Sequence, residues 1–314
     1  ALYSYLLEKD FNIIVINPIQ TDAWRHATDI RKRKTDSSDS VLIADFIRFG
    51  NFQNSSIADE KYLNLRNMTR FRHSLIEQIG DLKRKIIANL DLVFPEYSSY
   101  FSDIFGQTSK EILLNFNTAE DFKNLKTKDF EKVLRNITLK KAATIKLNSL
   151  KQISQSFFGV KFALSSYSIQ IKCLIEQIKV IEDQVKLIEN EIESIVKDLN
   201  TPIFTIPGIG YVTGAVILAE LGDINKFSSD KKIVAYAGLD ATVNQSGQSD
   251  RQHGHLSKRG STHLRKALFQ AAFVASTNDT IFKDFYDKKR KEGKHHLVAV
   301  NAVARKMCHL FMQY

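Results

Sequence analysis

The chain has 314 residues, 43% of them apolar, which is enough for one large folded core or two to three ordinary ones. Lysine and arginine outnumber aspartate and glutamate 45 to 35, and the formal charge of +10 favours nucleic acid or an acidic membrane surface over an acidic or neutral site. No apolar run is long enough to span a bilayer, no signal-peptide pattern is present, and Cys173 and Cys308 stand apart with no Cys-x-x-Cys, so a reduced cytoplasmic protein without a zinc site is expected. Sparse proline and glycine predict a mostly helical chain.

Leu2, Tyr3, Leu6 and Leu7 give a helical pattern from the first residues, an abrupt start that leads us to expect a missing N-terminal portion. The β-branched run Phe11–Asn17, ending at Asn17-Pro18, reads as a buried, parallel strand. A helix is predicted over Trp24–Arg33, finishing in the basic run 31–34, which is a solvated face or a phosphate contact. Thr35 and Asp36 then open another helix through Val41, Leu42, Ala44, Phe46 and Ile47. Asp36 and Asp39, three apart, share a face of that helix. Two such carboxylates can hold a divalent cation through oxygen, and metal beside a phosphodiester is a route to cutting DNA. By spacing alone the same residues favour a capping box.

Residues 51–60 read as a polar linker. A long helix follows over Tyr62–Leu92, with Leu75, Ile79, Leu82 and Ile86 alternating at four and three, and Phe94-Pro95 ends it. Short helices are expected near Glu111–Leu114, Ala119–Leu125 and Phe130–Leu134, as a small insertion over 97–160. From 164 to 199 the periodicity is clearest: Leu164, Ile171, Ile178, Val185, Ile192 and Leu199 recur every seven residues. Tyr167, Leu174, Ile181, Ile188 and Ile195 fill a second seam, the pattern of a coiled coil. Its partner is the Tyr62–Leu92 helix, antiparallel in the same chain, or the same hairpin of another subunit.

The stretch Ile206–Arg265 carries the densest signals. Pro207-Gly208-Ile209-Gly210 is a tight turn opening an apolar helix. It is an ordinary interhelical turn, or a helix-hairpin-helix-like unit whose Gly208 and Gly210 let the backbone approach a phosphate. Ser246-Gly247 follows, then Arg251, His253, His255, Lys258, Arg259 and Arg265, a glycine- and cation-rich surface loop suited to phosphate. An accessible serine hydroxyl near arginines can attack a phosphate and have the resulting charge stabilised. Alternatively these serines cap helices, Ser257 among them. Apolar helices over Leu264–Ser276 and Leu297–Phe311 flank a charged one over Phe282–Lys294, and the histidines lack partners at ligand spacing, so they read as surface residues.

The Pro-Gly-Ile-Gly turn, Ala237-Gly-Leu, the Ser-Gly pair, Ser257-Lys-Arg-Gly, Leu264-Arg265 and the late Ala304-Arg-Lys occur in order, and together they resemble the C-terminal transposase domain of the insertion-sequence 110 family. These are DEDD-type bacterial transposases related to the Piv and MooV invertases. Lys34-Thr-Asp-Ser-Ser-Asp39 resembles the family's Lys-Thr-Asp-x-x-Asp, which supplies the last two acids of the DEDD set on a RuvC-like (RNase H-like) domain. The resemblance therefore implies Asp36 and Asp39 as ligands of Mg2+ or Mn2+. It also implies Ser246, with Ser257 in reserve, as the nucleophile of a centre composed between subunits, and Arg251, Lys258, Arg259 and Arg265 as phosphate contacts. No residue here matches the family's first Asp or its Glu, so half of the metal site is expected to be missing. The expected architecture is mostly α, with an incomplete α/β RuvC-like part (1–60), a coiled-coil hairpin with its insertion (61–200) and a helical DNA-binding domain (201–314). DNA, a guide RNA and further copies of the chain are the implied partners, and a non-catalytic nucleic-acid-binding protein is the rival reading.

Overall fold

The computed structural model describes residues 2–11, 13–16, 18–28, 35–49, 60–126, 128–129, 137, 140–241, 245–246, 249–250 and 255–313. The chain divides into two compact units, Ala1–Glu60 and Lys61–Tyr314. Both are built of helices, and the described strands are two short ones in the second unit.

The first unit holds α1 (Leu2–Glu8), α2 (Pro18–Thr28) and α3 (Asp36–Phe49). Pro18 is the first residue of α2, where its missing N–H costs nothing and its fixed φ suits a helix. Helices α2 and α3 pack together, with Trp24 edge-on to buried Phe46 at 5.6 Å. The strand expected over Phe11–Asn17 is not formed: Phe11 and residues 13–16 are neither strand nor helix, and 12 and 17 lie outside the described residues. A β-branched run becomes a strand only where a neighbour takes up its backbone hydrogen bonds, and no other strand of this unit is among the described residues. The expected helix at Phe130–Leu134 also falls outside the described residues, apart from the chain around it.

The second unit begins with α4 (Glu60–Val93), a 34-residue helix. Leu65, Thr69, Leu75, Ile79, Leu82, Ile86, Leu90 and Val93 form its buried stripe, so the four-and-three alternation marks the true inner face. Phe94-Pro95 turns the chain into a 3-10 turn, then come α5 (Gln107–Asn115), α6 (Ala119–Lys123) and α7 (Lys140–Ile153). Phe94, Tyr97, Phe101, Phe116, Phe122 and Phe157 pack ring to ring at the far end of α4. Burial pushes the Tyr97 hydroxyl well above its usual range, and it is satisfied by Ser109 Oγ at 2.8 Å.

Helix α8 (Leu164–Asp198) returns along α4. Arg72 reaches Glu189 at 2.6 Å and Asn89 reaches Gln170, so the two long helices are antiparallel. Ile171, Ile178, Val185 and Ile192 of the sevenfold repeat are buried, and Leu164 and Leu199 pack partly buried against the same core. The second seam is more mixed. Ile188 is buried, whereas Ile175 and Val196 are buried in place of their neighbours Leu174 and Ile195. Between these two positions α8 also faces α5, through Lys110–Glu182 and Glu111–Lys179.

Five helices form the second core: α9 (Tyr211–Leu221), α10 (Asp230–Tyr236), α11 (Thr262–Asn278), α12 (Thr280–Lys291) and α13 (His296–Leu310). Small residues let them approach closely: Ala267, Ala271, Ala272 and Ala275 of α11 meet Val300, Val303 and Ala304 of α13. Cys308 lies inside this core, and burial pushes its thiol up to about 12, so it is unreactive. Among the described residues, no helix is long and apolar enough to cross a membrane.

Candidate catalytic and nucleic-acid-binding residues

Thr35 and Ser38 exchange backbone-to-side-chain hydrogen bonds at 3.2 and 3.0 Å, and the Thr35 carbonyl accepts from Asp39 N–H. Thr35 is thus the N-cap of α3, and the capping box is Thr35–Ser38 rather than one built on Asp36. Both carboxylates are left free of capping. Asp36 is exposed, while Asp39 is partly covered and accepts a hydrogen bond from Arg25 Nη2 at 2.7 Å. Helix α2 therefore places one guanidinium against the pair and neutralises one of its two charges. Asp39 Oδ2 and the Asp36 oxygens remain as hard oxygen donors of the kind Mg2+ or Mn2+ takes. They suit part of a ligand set. Among the described residues no third histidine, cysteine or acid joins them in a metal-holding group.

The basic loop is an antiparallel arm. Ser261 N–H bonds Tyr236 O, Lys258 N–H bonds Gly238 O, Ser257 N–H bonds Asp240 O, and Ala241 bridges Leu256. Farther out, β1 (Gln245–Ser246) pairs with β2 (Ser249–Asp250), which sets Ser246 opposite Ser249 at the tip. The root of the arm depends on two glycines. Gly238 has φ +67°, and a Cβ on Gly260 would collide with Tyr236 O. Lys258 also sits at positive φ, +53°, and is exposed beside exposed Arg259. The Ser257 hydroxyl donates to Asp240 Oδ1 and caps no helix; Ser261, four residues on, caps α11 by accepting from Leu264 N–H at 3.2 Å. Arg265 donates to Ala237 O and so braces the root from α11. Arg251 and His253 lie outside the described residues, as do the side chains around Ser246.

Gly208 and Gly210 differ in role. Gly208, at φ +85°, lies against α11, where a Cβ would strike Ala271 O. Its lack of a side chain is explained by packing inside the chain. Gly210 is the exposed N-cap of α9, and a Cβ there would meet nothing within 4 Å.

A cluster absent from the sequence reading holds these parts together. Glu220, at the end of α9, is 1% exposed. Arg70 donates to its carboxylate from both Nε and Nη2, at 2.8 and 3.0 Å, and the Ser261 hydroxyl donates at 2.8 Å. Arg66 donates to Ala219 O, and Tyr236 to Glu220 O. Burial alone would push the Glu220 carboxyl up. The bonds from Arg70 and Ser261, with the Arg70 and Arg66 charges, outweigh it and hold the group below its usual range. The available signal was one acid in the otherwise apolar run Ala215–Leu221, a pattern that in soluble cores demands a partner.

Two family models match the chain. One, described as Transposase IS116/IS110/IS902 family, matches residues 200–287, and a second, a transposase model of the DEDD type from IS110, matches residues 1–95. The chain is 36% identical over 107 residues to an uncharacterized protein of insertion element IS110 from Streptomyces coelicolor, covering 33% of this chain and 26% of that protein. It is 35% identical over 104 residues to the pilin gene-inverting protein of Moraxella bovis, covering 33% of this chain and 32% of that one. It is also 37% identical over 68 residues to the transposase for insertion sequence element IS1111A of Coxiella burnetii, covering 22% of this chain and 18% of that protein. The chain thus matches less than a third of the length of these relatives.

Proposed function

Since the chain belongs to the IS110 family of transposases, we propose that it acts on the DNA of an insertion sequence, cutting and rejoining its strands. The observation that carries this is the presence of both family domains, in order, at the two ends of one chain. Asp36 and Asp39 would hold a divalent cation, together with acids from outside the described residues. That cation supplies charge neutralisation at the scissile phosphate. Ser246, with Ser257 as the alternative, would attack the phosphorus; the displaced sugar oxygen leaves with a proton, and the strand stays joined to the serine until another strand's hydroxyl replaces it. Lys258 and Arg259 suit phosphate contacts, because both are exposed on the arm that ends in Ser246. Arg265 has the lesser claim, since it braces the root of that arm.

Further parts of the reading are a guide RNA that pairs with target and donor DNA, a coiled coil formed by α4 and α8, and assembly of two or four copies through it. Cys173, Val180 and Leu187 are exposed at sevenfold spacing along α8, away from its buried stripe, which supports a second helical partner. One observation favours a second reading, nucleic-acid binding without cutting: Arg25 already occupies Asp39.

The test is substitution in the full-length transposase. Asp36→Ala and Ser246→Ala are each expected to abolish excision and insertion while leaving DNA binding intact. Excision that survives both changes would show the roles to be misassigned. Binding that persists with no metal-dependent strand transfer in the unaltered protein would favour the second reading.

A further inference from the structure

We propose that a cavity of about 100 Å³ between α4, α9 and α11 binds a phosphate group of a nucleic-acid strand. The inference rests on the reading that this chain handles nucleic acid, and adds a contact point away from the arm. The cavity walls carry Arg70 and His73 from α4, Thr213 from α9, and His263, Lys266 and Gln270 from α11. No acidic side chain is among its lining residues; Glu220 holds Arg70 from within the protein core, and the exposed Glu77 carboxylate lies 3.4 Å from His73 Nε2. The cavity volume is ample for a phosphate with its oxygens.

Arg70, Arg72 and His73 on this wall already face Glu220, Glu189 and Glu77, but four other donors are unused. Among the described residues, the Lys266 ammonium, the His263 ring nitrogens, the Thr213 hydroxyl and the Gln270 amide make no hydrogen bond or ion pair, although the His263 ring packs edge-on to His73 at 4.9 Å. An anion entering here meets an anchored guanidinium, an exposed ammonium and several neutral donors. That is the composition of a site where charge-assisted hydrogen bonds outweigh the desolvation of the ligand.

The His73 imidazole gives the site a proton linkage. Burial, and then the charge of Lys266, hold His73 below its ordinary value of 6.5, with His263 and Arg72 acting in the same sense and Glu77 opposing them. The facing charged groups are therefore Arg70, Arg72 and Glu77 on α4 and His263 and Lys266 on α11. A bound phosphate cancels the repulsion, favours the imidazolium and takes up a proton, so binding tightens as pH falls through the imidazole range.

The experiment uses the whole chain, inorganic phosphate and a DNA duplex. Phosphate should move the imidazole NMR signals of His73 and His263, with tighter binding at about pH 6 than at about pH 8. Lys266→Ala and Gln270→Ala change exposed residues, so the variants should fold as the parent does. Lys266→Ala should weaken duplex binding and make the slope of log K against log salt shallower by about one. Phosphate that moves neither imidazole overturns the proposal. Phosphate that moves both while Lys266→Ala leaves the salt slope unchanged also overturns it, because the ligand is then a free anion. A parent chain that binds no duplex at low salt overturns instead the functional reading on which the proposal rests, whatever the imidazoles do.

Discussion

Glu220 shows how much one residue can decide. Its carboxylate is reached by a side chain from α4, by a cap residue of α11 and, through its own carbonyl, by Tyr236 of α10. Removing it as Glu220→Ala leaves the Arg70 guanidinium and Ser261 hydroxyl unpaired. Arg70 is about half exposed and can turn to water, so the expected loss is about 2–3 kcal/mol rather than the full cost of an orphaned buried charge. The pH dependence has a definite sign. The folded carboxyl titrates below its ordinary value of 4.5, so its stabilisation is present above that value and is lost as pH falls through the folded one. Denaturant unfolding should therefore show stability falling below about pH 4.5, and Glu220→Gln should flatten that fall while lowering stability at neutral pH. Of the residues singled out from sequence, Asp36 and Asp39 were legible as a pair on one helix face. What spacing alone mistook was the cap, because Thr35 competes for it and a hydroxyl bonds the N3 amide as well as a carboxylate does.

Elements were legible in proportion to their length. α4 and α8 declare themselves through long runs of periodic Leu, Ile and Val that few other structures tolerate. The short run Phe11–Asn17 carries the same residue types without the length, and its state is set by whether a neighbour strand exists, which no local pattern records. The arm was read as a glycine-rich loop because its pairing runs through backbone amides and leaves no apolar alternation. Its glycines nonetheless have a use that can be tested. Gly260→Ala forces a Cβ against Tyr236 O, a backbone atom that cannot swing aside, so a loss near the top of the usual overpacking range, about 3 kcal/mol, is expected. Thermal unfolding measures that loss, and hydrogen exchange should show the amides of Lys258 and Ser261 losing protection while those of α8 keep theirs. At Gly208 the face a side chain would take is filled by α11, which accounts for the glycine by packing.

At the scale of the molecule, the charge of +10 points to nucleic acid, and positive groups are present on the arm, on the cavity wall and in the run Lys288–Lys291. Whether Asp36, Asp39 and Ser246 serve one phosphate is not legible, because a centre of the kind proposed, composed between copies, would leave no spacing in a single sequence. The proposed assembly makes a separate prediction. Leu187 is 71% exposed and Val180 56%, one heptad apart on the outer face of α8. Light scattering at micromolar concentration should give a dimer or tetramer, and Leu187→Lys should shift it toward monomer without changing helix content. A parent chain that is monomeric throughout that range would remove the assembly from the proposal.

The glycine-built root of the arm behaves as a socket. Its pairing is made by main chain from Tyr236 to Ala241 and from Leu256 to Ser261, so the residues beyond it are not needed for the bundle to form. Tips from related proteins could be grafted between those two anchors as cassettes, exchanging chemistry or preference without redesigning the host. The same geometry makes the root a silent point of failure: on the proposed reading, a single methyl group at Gly260 would disarm the tip while every residue at that tip remained intact.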